Sequence, residues 1–254
     1  MTQKPLILAV ETSAPIGSVA IALGEQMLAE ATFSAPMKHS AELFPAIHSL
    51  LHRFSRKPKQ TDHIYISVGP GSFTGLRIAV TIAKAMNFAN GTKIVAVGTL
   101  DVIAANAANL TTNNARKKAN YKPNSTVKKT LIDKIATILD AKRGQFFIAA
   151  YQKKQGQWAK ILPDCLITAS QFLEKFAAPD QPIWLLGPGL VYHKDKFKAD
   201  GICLLDERYW MPRAEKVHLL GWKMALAGQF ADARTLKPAY LRSPEAEEKY
   251  KHQP

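Results

Sequence analysis

The strongest constraint on the fold is that the chain states one local plan twice. Near the N-terminus an apolar run at 6–10 meets the turn-like Glu11-Thr12-Ser13-Ala14-Pro15-Ile16, and a second apolar run follows at 17–23. Two such runs around a turn read as a β-hairpin. The plan returns at 135–139, with Asp140-Ala141-Lys142-Arg143-Gly144 as the turn and 145–151 as the second run. Each hairpin carries a carboxylate at the end of its first strand, Glu11 or Asp140, and resumes after a glycine, Gly17 or Gly144. Farther along each copy, a strand runs into glycine–proline–glycine: 64–68 into Gly69-Pro70-Gly71, and 183–186 into Gly187-Pro188-Gly189. An internal echo of this kind implies two halves of like topology.

The segments between these landmarks fill in an α/β alternation. Residues 27–33 supply a third strand. A helix is expected at 40–54, because Leu43, Ile47, Leu50 and Phe54 share a face at helical spacing, with Phe44 and Leu51 beside them. Ser40 suits its N-cap, and Pro45 near its start costs one backbone hydrogen bond. The glycine loop leads into a helix reaching about 90, then a strand at 94–97 and an alanine-rich helix capped by Asp101 and ending near 109. The second half adds a helix at 169–176, the strand at 183–186 and a last helix at 214–230. Two hairpin-plus-α/β halves facing each other are the plan of actin-like and sugar-kinase-like folds. The expected class is therefore α/β, a duplicated actin-like (ASKHA) fold of two βββαβα-type halves. The expected division is 1–110 for the first half, 111–134 for an insertion and 135–254 for the second half.

Composition narrows the function classes. Lys and Arg number 34 against 20 Asp and Glu, a formal charge of +14. Such an excess favours an anionic partner, nucleic acid or an acidic protein, or else a lysine-rich soluble surface. Part of it sits in the insertion, where Arg116, Lys117, Lys118, Lys122, Lys128 and Lys129 occur with no acidic residue between 115 and 130. This stretch reads as a surface linker or as a basic arm for phosphates. Hydrophobic residues at 47% exclude a globally disordered chain. No run of 18 apolar residues is present to cross a membrane. The first apolar run is too short for a secretory signal, so a cytoplasmic protein is expected. Cys165 and Cys203 match neither a disulfide framework nor a zinc site and are expected to be reduced.

The sharpest local motif is Gly69-Pro70-Gly71-Ser72-Phe73-Thr74-Gly75, between a strand and a helix. Glycines there let backbone approach a ligand, and a helix N-terminus attracts anions. Gly69, Gly71, Ser72 and Gly75 are thus candidate anion or nucleotide contacts, yet Leu76-Arg77 follows Gly75 where a Walker A loop has Lys and Ser or Thr. A tight structural turn explains the same residues. Glu11 and Asp140 can likewise hold magnesium near phosphates in a kinase-like site, or cap the turns of their hairpins. The helix after the loop is apolar on most sides, leaving only Arg77, Thr81, Lys84 and Asn87 as a polar stripe. Such a helix is buried inside the domain or completed by another chain. His48 and His52 share a helical face but find no third ligand, so two exposed histidines are expected rather than zinc.

Val10-Glu11-Thr12-Ser13, His39-Ser40-Ala41-Glu42-Leu43-Phe44-Pro45, the glycine loop through Leu76-Arg77, and Leu139-Asp140-Ala141-Lys142-Arg143-Gly144 together resemble the bacterial TsaB (YeaZ) family. Pro238-Ala239-Tyr240-Leu241-Arg242 is similar to that family's tail. The resemblance implies a non-catalytic subunit in making threonylcarbamoyladenosine beside the anticodon of tRNAs that read codons starting with A. It implies a TsaD-type transferase and a TsaE-type ATPase as partners, tRNA reached through the complex, and self-pairing through the same surface when the chain is alone. It implies no catalytic residue, no metal and no cofactor bound by this chain alone, with ATP used by the complex. The related transferase carries an H-x-x-x-H metal site after the strand that follows its glycine loop. Here that place reads Val97-Gly98-Thr99-Leu100-Asp101-Val102-Ile103. Glu11 stands where the family commonly has aspartate. The implied interface comprises Ser40, Leu43, Phe44, Ile47 and Leu51 on the first helix, with Phe73, Thr74, Arg77, Ile78, Thr81, Ile82 and Ala85 on the second. Ile82→Asp and Ala83→Glu are expected to break the complex and spare the monomer. An autonomous actin-like ATPase or kinase, a metalloprotease and a simple RNA-binding module are the alternatives.

Overall fold

The computed structural model describes residues 4–35, 38–108, 110 and 132–242. The basic stretch at 115–130 lies outside them. The first half runs β1 (Leu6–Glu11), β2 (Ser18–Leu23), β3 (Gln26–Thr32), α1 (His39–Arg53), β4 (His63–Gly69), α2 (Phe73–Asn90), β5 (Lys93–Gly98) and α3 (Thr99–Ala105). The second runs β6 (Lys134–Asp140), β7 (Gln145–Lys154), β8 (Gln157–Thr168), α4 (Ala169–Phe176), β9 (Ile183–Leu186), α5 (Leu190–His193), β10 (Ile202–Leu204) and α6 (Ala214–Leu226).

The echo in the sequence is an echo in space. One sheet has the order β3-β2-β1-β4-β5 and the other β8-β7-β6-β9-β10. In each, the first three strands form an antiparallel meander, the fourth pairs parallel to the first, and the fifth pairs parallel to the fourth. This is the duplicated actin-like order. Among the described residues no helix is long and apolar enough to cross a membrane. Cys165 is a free thiol, and Cys203 is buried in the second core.

Alternation along β1 feeds both faces of the first sheet. Leu6, Leu8 and Val10 point to the α1–α2 side, where Leu43, Ile47, Leu51, Ala79 and Ala83 close the core. Ile7 and Ala9 point to the opposite side, against Tyr65, Val102, Ala214 and Val217. Helix α3 serves both halves, because Val102 packs on the first sheet while Leu100, Ile103 and Ala104 enter the second core.

Several expectations change. Helix α6 follows the second half in sequence but covers the first sheet. A Cβ on its Gly221 would stand 2.6 Å from the Tyr65 ring, Ala214 N donates to Ser18 Oγ at 2.8 Å, and the His218 ring nitrogen meets the Gly24 carbonyl at 2.9 Å. The division at 135–254 therefore does not follow the packing beyond β10. The helix also ends at Leu226 rather than 230. Ser40 is not a cap: Lys38 holds that position and makes no side-chain capping bond. Asp101 is not a cap either, since Gly98 occupies the N-cap of α3. The Asp101 carboxylate instead reaches across to the second half, where Tyr151 Oη donates to it at 2.9 Å and the Lys160 ammonium pairs with it at 2.9 Å. The sequence does not predict strand β8. It is an edge strand with Pro163 and Asp164 inside it and little full burial, so no apolar run marks it.

Candidate partner interface

The glycine loop is filled by the chain itself. A Cβ on Gly75 would fall 1.8 Å from the Thr12 carbonyl oxygen, and one on Gly71 would fall 2.4 Å from the Ser13 carbonyl oxygen. The loop's glycines permit close approach, but what approaches is the β1–β2 turn. Ser72 N donates to Ser13 O at 2.7 Å, and Thr12 Oγ1 donates to Gly75 O at 2.7 Å. The helix-start amides are also engaged, Gly75 N with Ser72 Oγ at 3.3 Å and Leu76 N with Ser72 O at 2.9 Å.

Glu11 ends beneath this turn, fully buried. Ser13 N donates to Oε1 at 2.6 Å, the Ser13 hydroxyl donates to the same oxygen, and the Ser67 hydroxyl donates to Oε2. Burial pushes the carboxyl pKa up, against the pull of the Ser13 and Ser67 hydrogen bonds. Asp140 repeats the device: Lys142 N donates to Oδ1 at 2.8 Å, as Ser13 N does to Glu11. Partial burial works to raise its pKa, but the Lys142 hydrogen bonds and charge, helped by His193, hold it below the usual value. Both carboxylates thus cap their hairpin turns. Gly69, Gly71, Ser72, Gly75 and Glu11 gather at one end of the first sheet, whereas Asp140 ends β6 of the second.

Beside this filled loop, α1 and α2 present their outer faces. The sequence makes both helices wide in apolar character, and the sheet consumes only one side of each. Leu43, Ile47, Leu51, Ile82 and Ala83 are buried against β1, β2 and β4 and cannot reach a partner directly. Ile82→Asp and Ala83→Glu would put a carboxylate into this core, so they test folding rather than docking. Ser40, Phe44, Phe73, Thr74, Arg77, Thr81 and Ala85 are exposed, and Ile78 is half-buried. Their spacing on α2 makes a strip from Phe73 to Phe88, about 22 Å long at the rise of a helix. Phe44 is 62% and Phe88 94% exposed, values that mark an unpartnered apolar surface rather than a core edge. Phe88 is absent from the expected contacts, because it reads in the sequence as one more buried residue of an all-round apolar helix.

Tyr240 is the other residue the sequence leaves unassigned. Its ring stacks on Phe73 with centroids 5.4 Å apart, and its hydroxyl accepts from Arg77 Nε at 3.2 Å. The Arg77 guanidinium lies 3.9 Å from the centroid of the Phe73 ring. The tail is anchored by Ala239 N donating to Val68 O at 2.7 Å. It then crosses to the other half, where Arg242 donates to the Ala141 carbonyl and to Gln145 Oε1. His48 and His52 are exposed on α1 with stacked rings. Among the described residues, no three His, Cys, Asp or Glu side chains are grouped to share a metal ion.

Comparison with known proteins follows the same lines. A family model described as "TsaD: tRNA N6-adenosine threonylcarbamoyltransferase" matches residues 32–119, the segment that carries α1 and α2. The chain is 30% identical over 248 residues to the Bacillus subtilis (strain 168) "tRNA threonylcarbamoyladenosine biosynthesis protein TsaB", covering 96% of this chain and 97% of that one. Against the protein of the same name from Escherichia coli (strain K12) it is 24% identical over 239 residues, covering 93% and 94%. The solved structure "YeaZ from Pseudomonas aeruginosa" shares the fold with a TM-score of 0.72 at 24% identity, over 93% of this chain and all of that one.

Proposed function

The chain belongs to the TsaB family of tRNA threonylcarbamoyladenosine biosynthesis proteins, and from that premise we propose that it is a non-catalytic subunit that docks on a TsaD-type transferase. The observation that carries the reading is the exposed strip on α1 and α2, with Phe44, Phe73, Ala85 and Phe88 facing outward over a core already complete beneath them. The transferase family model matches the same segment of this chain. A partner built on a like helix pair offers a like surface, so helix pair packs on helix pair in a pseudo-symmetric contact. The same geometry lets two copies pair when the transferase is absent.

An active-site role is disfavoured by how the candidate groups are used. The Glu11 carboxylate is buried and capped by serines, and the glycine loop spends its open space on Thr12 and Ser13. In the complex, ATP turnover belongs to a TsaE-type partner and transfer to the transferase, with tRNA held across the assembly. Reconstitution tests this reading. Transferase, ATPase and unmodified tRNA should yield threonylcarbamoyladenosine only when this chain is added, and the chain alone should yield none. Modification by the chain alone, or full modification without it, overturns the proposal.

A further inference from the structure

At the end of the first sheet away from the glycine loop lies an open cleft of about 660 Å³. It is bounded by the chain entering β1, the link from α1 to β4 and the link from α2 to β5. Each stretch brings cations: Lys4 from the first, Arg56 and Lys59 from the second, Lys93 from the third. Asp62 is the one acidic residue in the lining, and one of its oxygens accepts from Leu6 N at 2.7 Å. Among the described residues, none of the four cations forms an ion pair with a carboxylate. Thr61 also lines the cleft, is 3% exposed, and its hydroxyl has no hydrogen-bond partner.

We propose that this cleft holds the phosphate backbone of an RNA strand. The four cations come from three separate stretches of chain around one open cleft, and several cations without carboxylate partners suit successive phosphates of a strand. The choice of RNA over another polyanion rests on the proposed role in tRNA modification. The cleft lies about 27 Å along α2 from the glycine loop, by the helical rise, so RNA can engage it while the N-terminal part of the α1–α2 strip is covered.

The test uses the isolated full chain and unmodified tRNA, with affinity measured over a range of salt concentrations. Arg56→Glu with Lys59→Glu is expected to weaken binding roughly tenfold or more and to make the salt dependence shallower by about two phosphate contacts. The control, Lys154→Glu with Lys175→Glu, changes net charge equally at exposed positions of the second half and should leave both quantities nearly unchanged. Equal weakening by both pairs, or by neither, overturns the inference. Displacement of tRNA by micromolar pyrophosphate from the unaltered cleft also overturns it, in favour of a small-polyphosphate site. If the double charge reversal does not fold, Lys59→Ala and Lys93→Ala are each expected to lower the salt slope by about one contact, and an unchanged slope counts against the cleft. No transferase is present in this measurement, so a failed docking model and a failed RNA cleft give different results.

Discussion

Gly75 and Thr12 are in backbone contact so close that no side chain fits between them. A Cβ on Gly75 would lie 1.8 Å from Thr12 O, and the Thr12 hydroxyl returns a hydrogen bond to Gly75 O at 2.7 Å. A loop whose composition suggests a phosphate cradle is therefore a joint between the first hairpin and α2. Gly75→Ala is expected to destabilise the chain by about 3 kcal/mol or more, because backbone must shift to admit one methyl group. Chemical denaturation checks this, and a midpoint unchanged from the parent protein would contradict it.

Glu11 gives a pH signature. Its folded pKa is raised above the ordinary carboxylate value, chiefly by burial. In the window between the unfolded and folded values the native state binds more protons than the unfolded one, so stability falls as pH rises through it. Glu11→Gln removes the titration and should flatten that decline near and above the carboxylate range. Stability measured against pH for both proteins decides it, and identical slopes contradict the assignment.

Asp101 joins the halves through the Tyr151 hydroxyl and the Lys160 ammonium. Asp164 also pairs with Lys160, at 2.6 Å. Asp101→Ala takes away the acceptor of the Tyr151 hydroxyl, which keeps only the Thr137 side chain beside it, and leaves Lys160 partnered by Asp164, a loss of about 1 kcal/mol. Urea denaturation that shows no change would count against this carboxylate as a link between the halves.

Tyr240 extends the docking face from the tail, by its stacking on Phe73 and its bond from Arg77. Tyr240→Ala should weaken transferase association about tenfold while changing stability by roughly half a kcal/mol or less, as partly exposed positions usually do. Calorimetric titration with the transferase measures the first and thermal melting the second. Unaltered association removes the tail from the interface.

Much of the architecture is legible in the sequence because several local signals agree there. Helix α4 is expected at 169–176 and found at Ala169–Phe176, preceded by the Thr168–Gln171 capping box. The duplicated hairpins, with Glu11 and Asp140 in matching places, disclose two sheets of one topology. The candidate site is legible only in part. Helix α2 is apolar on nearly every side, so its composition cannot separate Ile82 and Ala83, which face the sheet, from Ala85 and Phe88, which face outward. The glycine loop announces a close approach without naming the visitor, since Thr12 lies 63 residues away in the chain. The return of α6 to the first sheet has no local signature, because any apolar helix face suits either core.

The role of the α1–α2 strip is tested most directly by measuring the affinity of the folded chain for the transferase when exposed residues alone are changed. Thr81→Glu with Ala85→Glu places two carboxylates on the outer face of α2 and leaves the residues packed on the sheet untouched. The expected result is association weakened at least a hundredfold, with a melting temperature close to that of the parent protein. Association of unchanged strength, with both carboxylates in place, would contradict docking through this face.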